Sequence, residues 1–375
     1  MIPVIERRDA LTRWLLEVAL PLWATVGADP AGGFFELIGQ DGRPLAGPRR
    51  CFTTARQAYV YQLAGRWGWD GAASVDHAMA LLKRLRRRDG VYATAIDPAT
   101  EQRNDAFDLY DQAFVLFALA VVWRSGRYPE AAVTALATLK GLQRRFKHPM
   151  AGFEEGAPAV LPLRANPHMH LFEAALEWIE AAPDGAQPWR ALADEIAELS
   201  LRRFIDPHTG ALHEFFAGDW SFAKGDLGRI VEPGHQFEWA WLLSRWACLA
   251  GRPDALAAAW RMAELAEAHG VRDGAAVNEL WDDLSIKDGR ALLWPQTERI
   301  KAWVALALAA EDARSRARAV ALASEACAGL LPFLATPTAG LWFKQRDPEG
   351  RFEASPAPGR YLYHIVCAIQ ELHKL

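Results

Sequence analysis

Apolar residues recur at helical spacing in twelve segments of the chain, near 7–25, 52–67, 73–89, 105–125, 129–146, 166–181, 188–205, 232–251, 254–269, 294–310, 312–332 and 358–374. The connections alternate in length. Gly68 to Ala72, Gly126-Arg127-Tyr128 and Gly251-Arg252-Pro253 are short, whereas the links that lead into the even-numbered segments are long. That alternation is the pattern of helical hairpins. The long links also resemble one another, opening on glycine and aromatic residues: Gly32-Gly33-Phe34-Phe35-Glu36, Gly90-Val91-Tyr92, Gly152-Phe153-Glu154-Glu155, Gly210-Ala211-Leu212-His213-Glu214-Phe215 and Gly340-Leu341-Trp342-Phe343. Asn278-Glu279-Leu280-Trp281 is read as filling the corresponding place in the remaining repeat. Such starts return roughly every 60 residues, the self-similarity of a repeat array.

Twelve helices in six hairpins predict an all-α toroid, an (α/α)6 barrel spanning 1–375 as one catalytic domain. Short β-like pieces such as Phe34 to Ile38 and His213 to Phe216 are expected to wall one rim. With the even helices inside, their first turns open together at that rim. Each begins with side chains that are odd choices for a buried helix start: Phe52-Thr53-Thr54-Ala55-Arg56-Gln57, Asp108-Leu109-Tyr110-Asp111-Gln112, Asn166-Pro167-His168-Met169-His170, Glu232-Pro233-Gly234-His235-Gln236-Phe237-Glu238, Trp294-Pro295-Gln296-Thr297-Glu298 and Tyr361-Leu362-Tyr363-His364. Asn166 and His170, His235 and Glu238, and Trp294 and Glu298 are three or four apart, so each pair shares a helix face.

Composition narrows the partners. The chain of 375 residues, 51% hydrophobic, can bury a large core. Its 42 Lys+Arg against 46 Asp+Glu leave a net charge of -4, without the basic excess that nucleic acid or an anionic membrane would require. The four cysteines, Cys51, Cys248, Cys327 and Cys367, form no C-x-x-C pair and are expected to be reduced core thiols. The first turn is charged, and the longest apolar run, Ala113 to Val122, is about half of a bilayer span. The expectation is a cytoplasmic monomer or homodimer that acts on a small molecule, with no membrane anchor and no nucleic-acid partner.

A lone helical histidine is usually a packing residue, and His148, His168 and His269 are read that way. His170, His235 and His364 differ because they occupy equivalent places in separate repeats beside carboxylates or amides. Asp105, Asp108 and Asp111 are read as caps and first-turn acids, and the Arg84 to Arg88 run as a solvated outer face. A metal is not expected: residues two apart, as in His168-x-His170, diverge on a helix, and no H-E-x-x-H is present. No Gly-rich phosphate loop or G-x-S-x-G elbow appears, and no cofactor is expected.

Asn166-Pro167-His168-Met169-His170 with Glu173, Glu232-Pro233-Gly234-His235-Gln236-Phe237-Glu238-Trp239, Trp294-Pro295-Gln296-Thr297-Glu298 and Tyr363-His364 together resemble the N-acylglucosamine 2-epimerase superfamily, in order and across essentially the whole chain. The resemblance implies an (α/α)6 barrel and metal-independent isomerisation or epimerisation at C2 of a monosaccharide. His235, His364, His170 and Glu238 would be catalytic, with Arg56, Tyr110, Asn166, Trp294 and Glu298 binding the sugar. Mannose–fructose interconversion is the reaction expected first, with mannose 6-phosphate isomerisation or N-acylglucosamine 2-epimerisation as alternatives. Pro356-Ala357-Pro358-Gly359-Arg360-Tyr361 departs from the Trp-rich segment that precedes the final histidine in the cellobiose epimerases of that superfamily.

A neutral imidazole suits the work of removing a weakly acidic C2 proton, and burial at a helix N-terminus depresses a histidine pKa, so His364 or His235 is expected to be an uncharged base near neutral pH. His364 is assigned the C2–C1 proton shuttle and His235, held by Glu238, ring opening or the acid on the opposite face. Arg56 and Tyr110 are assigned the oxyanion side, and Lys224, Arg229 and Lys344 are candidate phosphate contacts. Two other classes compete: a glycoside hydrolase using Glu238 with Asp108 or Glu298, and a non-catalytic binding barrel.

Overall fold

A computed structural model describes residues 2–375. Its twelve helices are α1, which runs Ile2–Trp14 and continues through a π turn into Leu20–Thr25, then α2 Cys51–Ala64, α3 Ala72–Leu85, α4 Leu109–Arg124, α5 Ala131–Arg145, α6 Ala165–Ala181, α7 Gln187–Leu199, α8 Pro233–Ala250, α9 Pro253–Gly270, α10 Leu293–Ala309, α11 Ala313–Leu330 and α12 Tyr361–Leu372. The even helices form the inner ring, each packing on the next, with α12 closing onto α2. The odd helices cover them. Composition follows from that placement: α4 is apolar on every side because both neighbours and an outer helix cover it, whereas α3 and α7 bury a single stripe. The helix expected at 105–125 starts only at Leu109, because Asp108 is extended and caps it by accepting from the Tyr110 N–H.

Closure joins the two ends of the chain. The α1 helix packs on α11 and α12, and Trp23 stacks on Trp342 with ring centroids 4.8 Å apart. Cys51, Cys327 and Cys367 are buried free thiols as expected, but Cys248 is exposed, because it lies near the outer end of α8.

Short strands stitch the rim. The residues before each inner helix pair antiparallel with the next long link: Arg49–Arg50 with Ala95–Ile96, Leu163–Arg164 with Phe215–Phe216, Ile230–Val231 with Glu279–Trp281, Ala291–Leu292 with Gln345–Arg346, and Ala357–Pro358 with Leu37–Ile38. Asp108 makes a bridge to Gly156 in the remaining repeat. The first backbone N–H of each inner segment donates to the following link: Cys51 to Thr94 O, Leu109 to Glu155 O, Ala165 to Glu214 O, Leu293 to Lys344 O and Gly359 to Glu36 O. Pro233 holds the sixth place, where a missing N–H at a helix start costs little.

These anchors put the repeats in register. Three residues on stand Thr54, Gln112, His168, Gln236 and Gln296. The three glutamines each grip their own link, through Tyr92, Leu212 and Ala276, and His168 Nε2 does the same for Phe153 N–H at 3.0 Å. The linking glycine is Gly33, Gly90, Gly152, Gly210, Gly274 or Gly340, all at φ between +71 and +90. The fifth repeat therefore turns at Gly274. Asn278, expected there, lies farther along the link, pairing with Asp288.

Candidate active site

Counted from the same anchors, the inner helices line the barrel in layers. At the mouth, one residue on, stand Phe52, Tyr110, Asn166, Gly234, Trp294 and Arg360. Five residues on, one helical turn deeper, stand Arg56, Phe114, His170, Glu238, Glu298 and His364, and eight on stand Tyr59, Phe117, Glu173, Trp241, Lys301 and Cys367. A cavity of about 310 Å³ opens into these layers, bounded by Arg56, Tyr110, Asn166, His170, Glu232, His235, Glu238, Trp294, Arg360 and His364 among others. Eight of the nine residues predicted for the site line it. Glu298 does not: it is fully buried behind His364 and contacts the site through that histidine.

The three histidines are each fixed through Nδ1. His364 Nδ1–H donates to Glu298 Oε1 at 2.8 Å, which leaves Nε2 as a lone-pair acceptor. Burial, then the Arg56 and Lys301 charges, hold His364 well below the ordinary histidine pKa, so it is neutral. His170 donates to Glu173 Oε2 at 3.0 Å, and burial outweighs Glu238 and Glu173 to lower it as well. His235 is the opposite case. Burial works against its proton, but Glu214 at 2.8 Å and Glu232 at 3.3 Å outweigh it and raise the imidazole to about 10. It is an imidazolium at neutral pH.

Two sequence expectations are corrected here. Glu238 does not hold His235, because the pair shares a helix face but Glu214, on the link before α8, reaches the ring first. His235 is also not a neutral base, since two carboxylates flank it. Asn166 stands 3.3 Å from His235 Nε2, and its amide oxygen, otherwise without a partner, satisfies the Nε2–H when the amide is turned over.

The remaining wall is built to receive hydroxyls. Both Glu238 oxygens are buried without a hydrogen-bond partner, with His170 Nδ1 at 4.0 Å and Lys301 Nζ at 3.6 Å. A buried carboxylate left open in this way is an acceptor awaiting a ligand donor. Arg56 donates to Tyr110 Oη at 2.7 Å and lies 4.0 Å from the Phe114 ring centroid, with no carboxylate against it and its Nε unsatisfied. Trp294 stands over both imidazoles, 5.0 Å from His235 and 5.9 Å from His364. It fits because Gly234 has no side chain: a Cβ there would sit 2.5 Å from the indole.

Below lies a charged floor. Lys301 is fully buried against Glu298, with Glu238 beyond, and its ammonium stacks 3.8 Å from the Trp241 centroid. Burial opposes its charge, but Glu298 and Glu238 prevail and raise its pKa. Burial and the Glu238 charge push Glu298 up, and Lys301 opposes them. Tyr363 donates to Glu173. Three groups could in principle ligate a metal, His170/Glu173/Glu238, Glu214/Glu232/His235 and Glu238/Glu298/His364. The donors fit poorly: Glu173 already accepts from His170 and Tyr363, Glu298 from His364 and Lys301, and a protonated His235 cannot ligate.

Sequence reasoning missed Glu214, Lys301 and Arg360. Glu214 and Lys301 stand at repeat-equivalent places, so aligning the repeats on their anchors would have found them. His168 stays out of the site, as expected. Lys224, Arg229 and Lys344 line neither the cavity nor its mouth, and Arg229 is paired with Asp282 at 2.9 Å.

Residues 33–368 match the sequence profile described as N-acylglucosamine 2-epimerase (GlcNAc 2-epimerase). The chain belongs to the N-acylglucosamine 2-epimerase family. Within that family it is similar to a mannose-6-phosphate isomerase of Rhizobium meliloti, 44% identical over 96% of this chain and 95% of the relative. It is also similar to a D-mannose isomerase of Thermobifida fusca, 32% identical over 63% and 62% of the two chains. The solved cellobiose 2-epimerase of Bacillus thermoamylovorans shares the fold, with a TM-score of 0.85 at 18% identity over 98% of this chain and 99% of that one. As a member of the N-acylglucosamine 2-epimerase family, the protein is a sugar isomerase or epimerase.

The hydrolase alternative loses its acids to the same geometry. Asp108 is spent as a helix cap and Glu298 lies behind His364, so neither can face Glu238 across a glycosidic bond.

Proposed function

We propose that the chain is a cytoplasmic aldose–ketose isomerase that interconverts mannose and fructose frameworks by proton transfer through a cis-enediolate. The observation that carries this reading is a neutral imidazole and a charged one on the walls of one small cavity, beneath the same indole. With the open-chain sugar bound, His364 Nε2 takes the C2 proton and returns it to C1. His235 gives its Nε2 proton to O1 as the enediol forms and recovers one from the O2 hydroxyl as the C2 carbonyl forms. Atoms and charge balance over the cycle. Arg56 and Tyr110 stabilise the developing oxyanion, and Glu238, Asn166 and His170 hold hydroxyls.

The carrying experiment is NMR in heavy water. Mannose or its 6-phosphate should give the corresponding ketose with deuterium entering at C1 or C2, and a His364→Asn variant should abolish both. Undiminished conversion in that variant would reject the assignment. A second reading rests on His170, also neutral and lining the same cavity: as a base on the opposite face of C2 it would make the enzyme a 2-epimerase, N-acylglucosamines included. In that case C2 acquires deuterium with inversion and no ketose accumulates.

A further inference from the structure

The sugar cavity opens outward into a second hollow of about 610 Å³, which shares Tyr110, Asn166 and Arg360 with it. Four arginines line the hollow, Arg49, Arg50, Arg164 and Arg360. Two are neutralised in place: Arg49 pairs with Asp29 and Arg164 with Glu155, both at 2.6 Å. Among the described residues, Arg50 and Arg360 have no carboxylate oxygen within 4.0 Å. The two acids on the same wall are occupied. Glu36 accepts from the Arg50 N–H at 2.9 Å and the Thr53 hydroxyl at 2.7 Å, and Asp108 caps α4. Burial raises the pKa of both carboxyls.

Position adds to charge. Arg360 precedes His364 by one turn of α12, about 6 Å toward the mouth. A hexose with C1 and C2 against His364 then directs its far end, C6, toward Arg360 and the hollow. The two cations of the deep cavity, Arg56 and His235, are taken up by the reacting end of the sugar, and the acids Glu232 and Glu238 line the rest of it.

We propose that Arg50 and Arg360 form a subsite for the phosphate of a hexose 6-phosphate, so that the phosphorylated sugar is the preferred substrate; this rests on the isomerase reading of the cavity below. Two unneutralised guanidiniums match a group that carries nearly two negative charges at neutral pH, its second pKa being about 6. The exposed Arg50 supplies the outer contact and the half-buried Arg360 the inner one.

The test compares kcat/KM for mannose and mannose 6-phosphate in the wild type, Arg50→Gln, Arg360→Gln and the double variant, with thermal melts to confirm folding. The wild type should favour the phosphorylated sugar at least tenfold, each single change should remove roughly tenfold of that ratio through KM, and inorganic phosphate should inhibit competitively in the wild type only. Equal kcat/KM for the two sugars in a wild type that turns over mannose, or a preference that survives in the double variant, would overturn the subsite while leaving the isomerase reading intact. If no variant turns over either sugar, the isomerase reading fails, and calorimetric binding of mannose 6-phosphate decides the subsite: binding lost in the double variant supports it, and no binding to the wild type refutes it.

Discussion

Glu298 Oε1 lies 2.8 Å from His364 Nδ1, and on its other side the same carboxylate meets the Lys301 ammonium. The carboxylate never touches the cavity, yet it fixes the tautomer that leaves His364 Nε2 unprotonated toward the sugar. A Glu298→Gln variant should lose about 10²-fold or more in kcat, within the range a misoriented general base costs, with a much smaller change in KM. Steady-state kinetics and deuterium entry at C2 measure both quantities, and a variant altered mainly in KM would return Glu298 to direct sugar binding.

The two catalytic imidazoles set opposite pH limits. His364 must be unprotonated and its pKa lies well below the ordinary value, so activity should persist as the pH falls through 6.5. His235 must be protonated and its pKa is about 10, so kcat/KM should fall only as the pH rises toward 10. Removing one of its two carboxylates by Glu232→Gln should move the alkaline limb to lower pH. A pH profile of kcat/KM for both proteins tests this, and an unmoved alkaline limb would assign that limb to another group.

Much of this arrangement was legible in the sequence. Helical period and alternating link length gave the six hairpins, and the four-residue spacing of Asn166 with His170 put both on the cavity, whereas Trp294 and Glu298, spaced alike, part company: Trp294 lines the cavity and Glu298 lies behind His364. What period could not give is reach between repeats. His235 is held by Glu214, 21 residues earlier, because Gln236 of α8 grips that link at Leu212 and keeps it against the helix start. Spacing on one helix suggested Glu238 instead. Lys301 was hidden for a related reason: it lies among apolar residues of α10, and only three acids contributed by three helices explain a buried ammonium.

Gly234 is small because Trp294 occupies the space a Cβ would need, at 2.5 Å. Gly234→Ala should displace the indole from both histidines and lower kcat/KM by about tenfold or more, since misplacement by an ångström is costly in a preorganised site. Gly234→Ala combined with Trp294→Phe, which relieves the clash, should be less impaired than the sum of the single changes. Strict additivity would show that the indole does not move.

Glu173 is engaged by His170 and Tyr363, Glu298 by His364 and Lys301, and His235 is charged, so the three groups of possible ligands have little affinity left for a cation. Incubation with EDTA followed by desalting should leave kcat unchanged, and added Mn²⁺, Co²⁺ or Zn²⁺ should not raise it. Loss on chelation with recovery on one metal would require a different mechanism.

Lys301 separates stability from chemistry. Its ammonium lies among Glu173, Glu238 and Glu298 at the floor, all fully buried. Lys301→Met keeps the apolar stem but leaves three acids without their countercharge, an imbalance that costs about 3–5 kcal/mol when a buried partner is removed. Those acids should then take up protons at higher pH, so the variant's stability should fall as the pH rises and they are forced to ionise. Glu298 would lose its charge first, being already pushed up by burial and by Glu238. Activity should fall with it, because a neutral Glu298 no longer holds the His364 tautomer. Adding Glu298→Gln to Lys301→Met removes one of the stranded charges and should recover part of the melting temperature, while kcat stays at the level of Glu298→Gln alone. If the double variant regained activity as well as stability, the floor would be a matter of folding only, and the link from Lys301 through Glu298 to His364 would be broken.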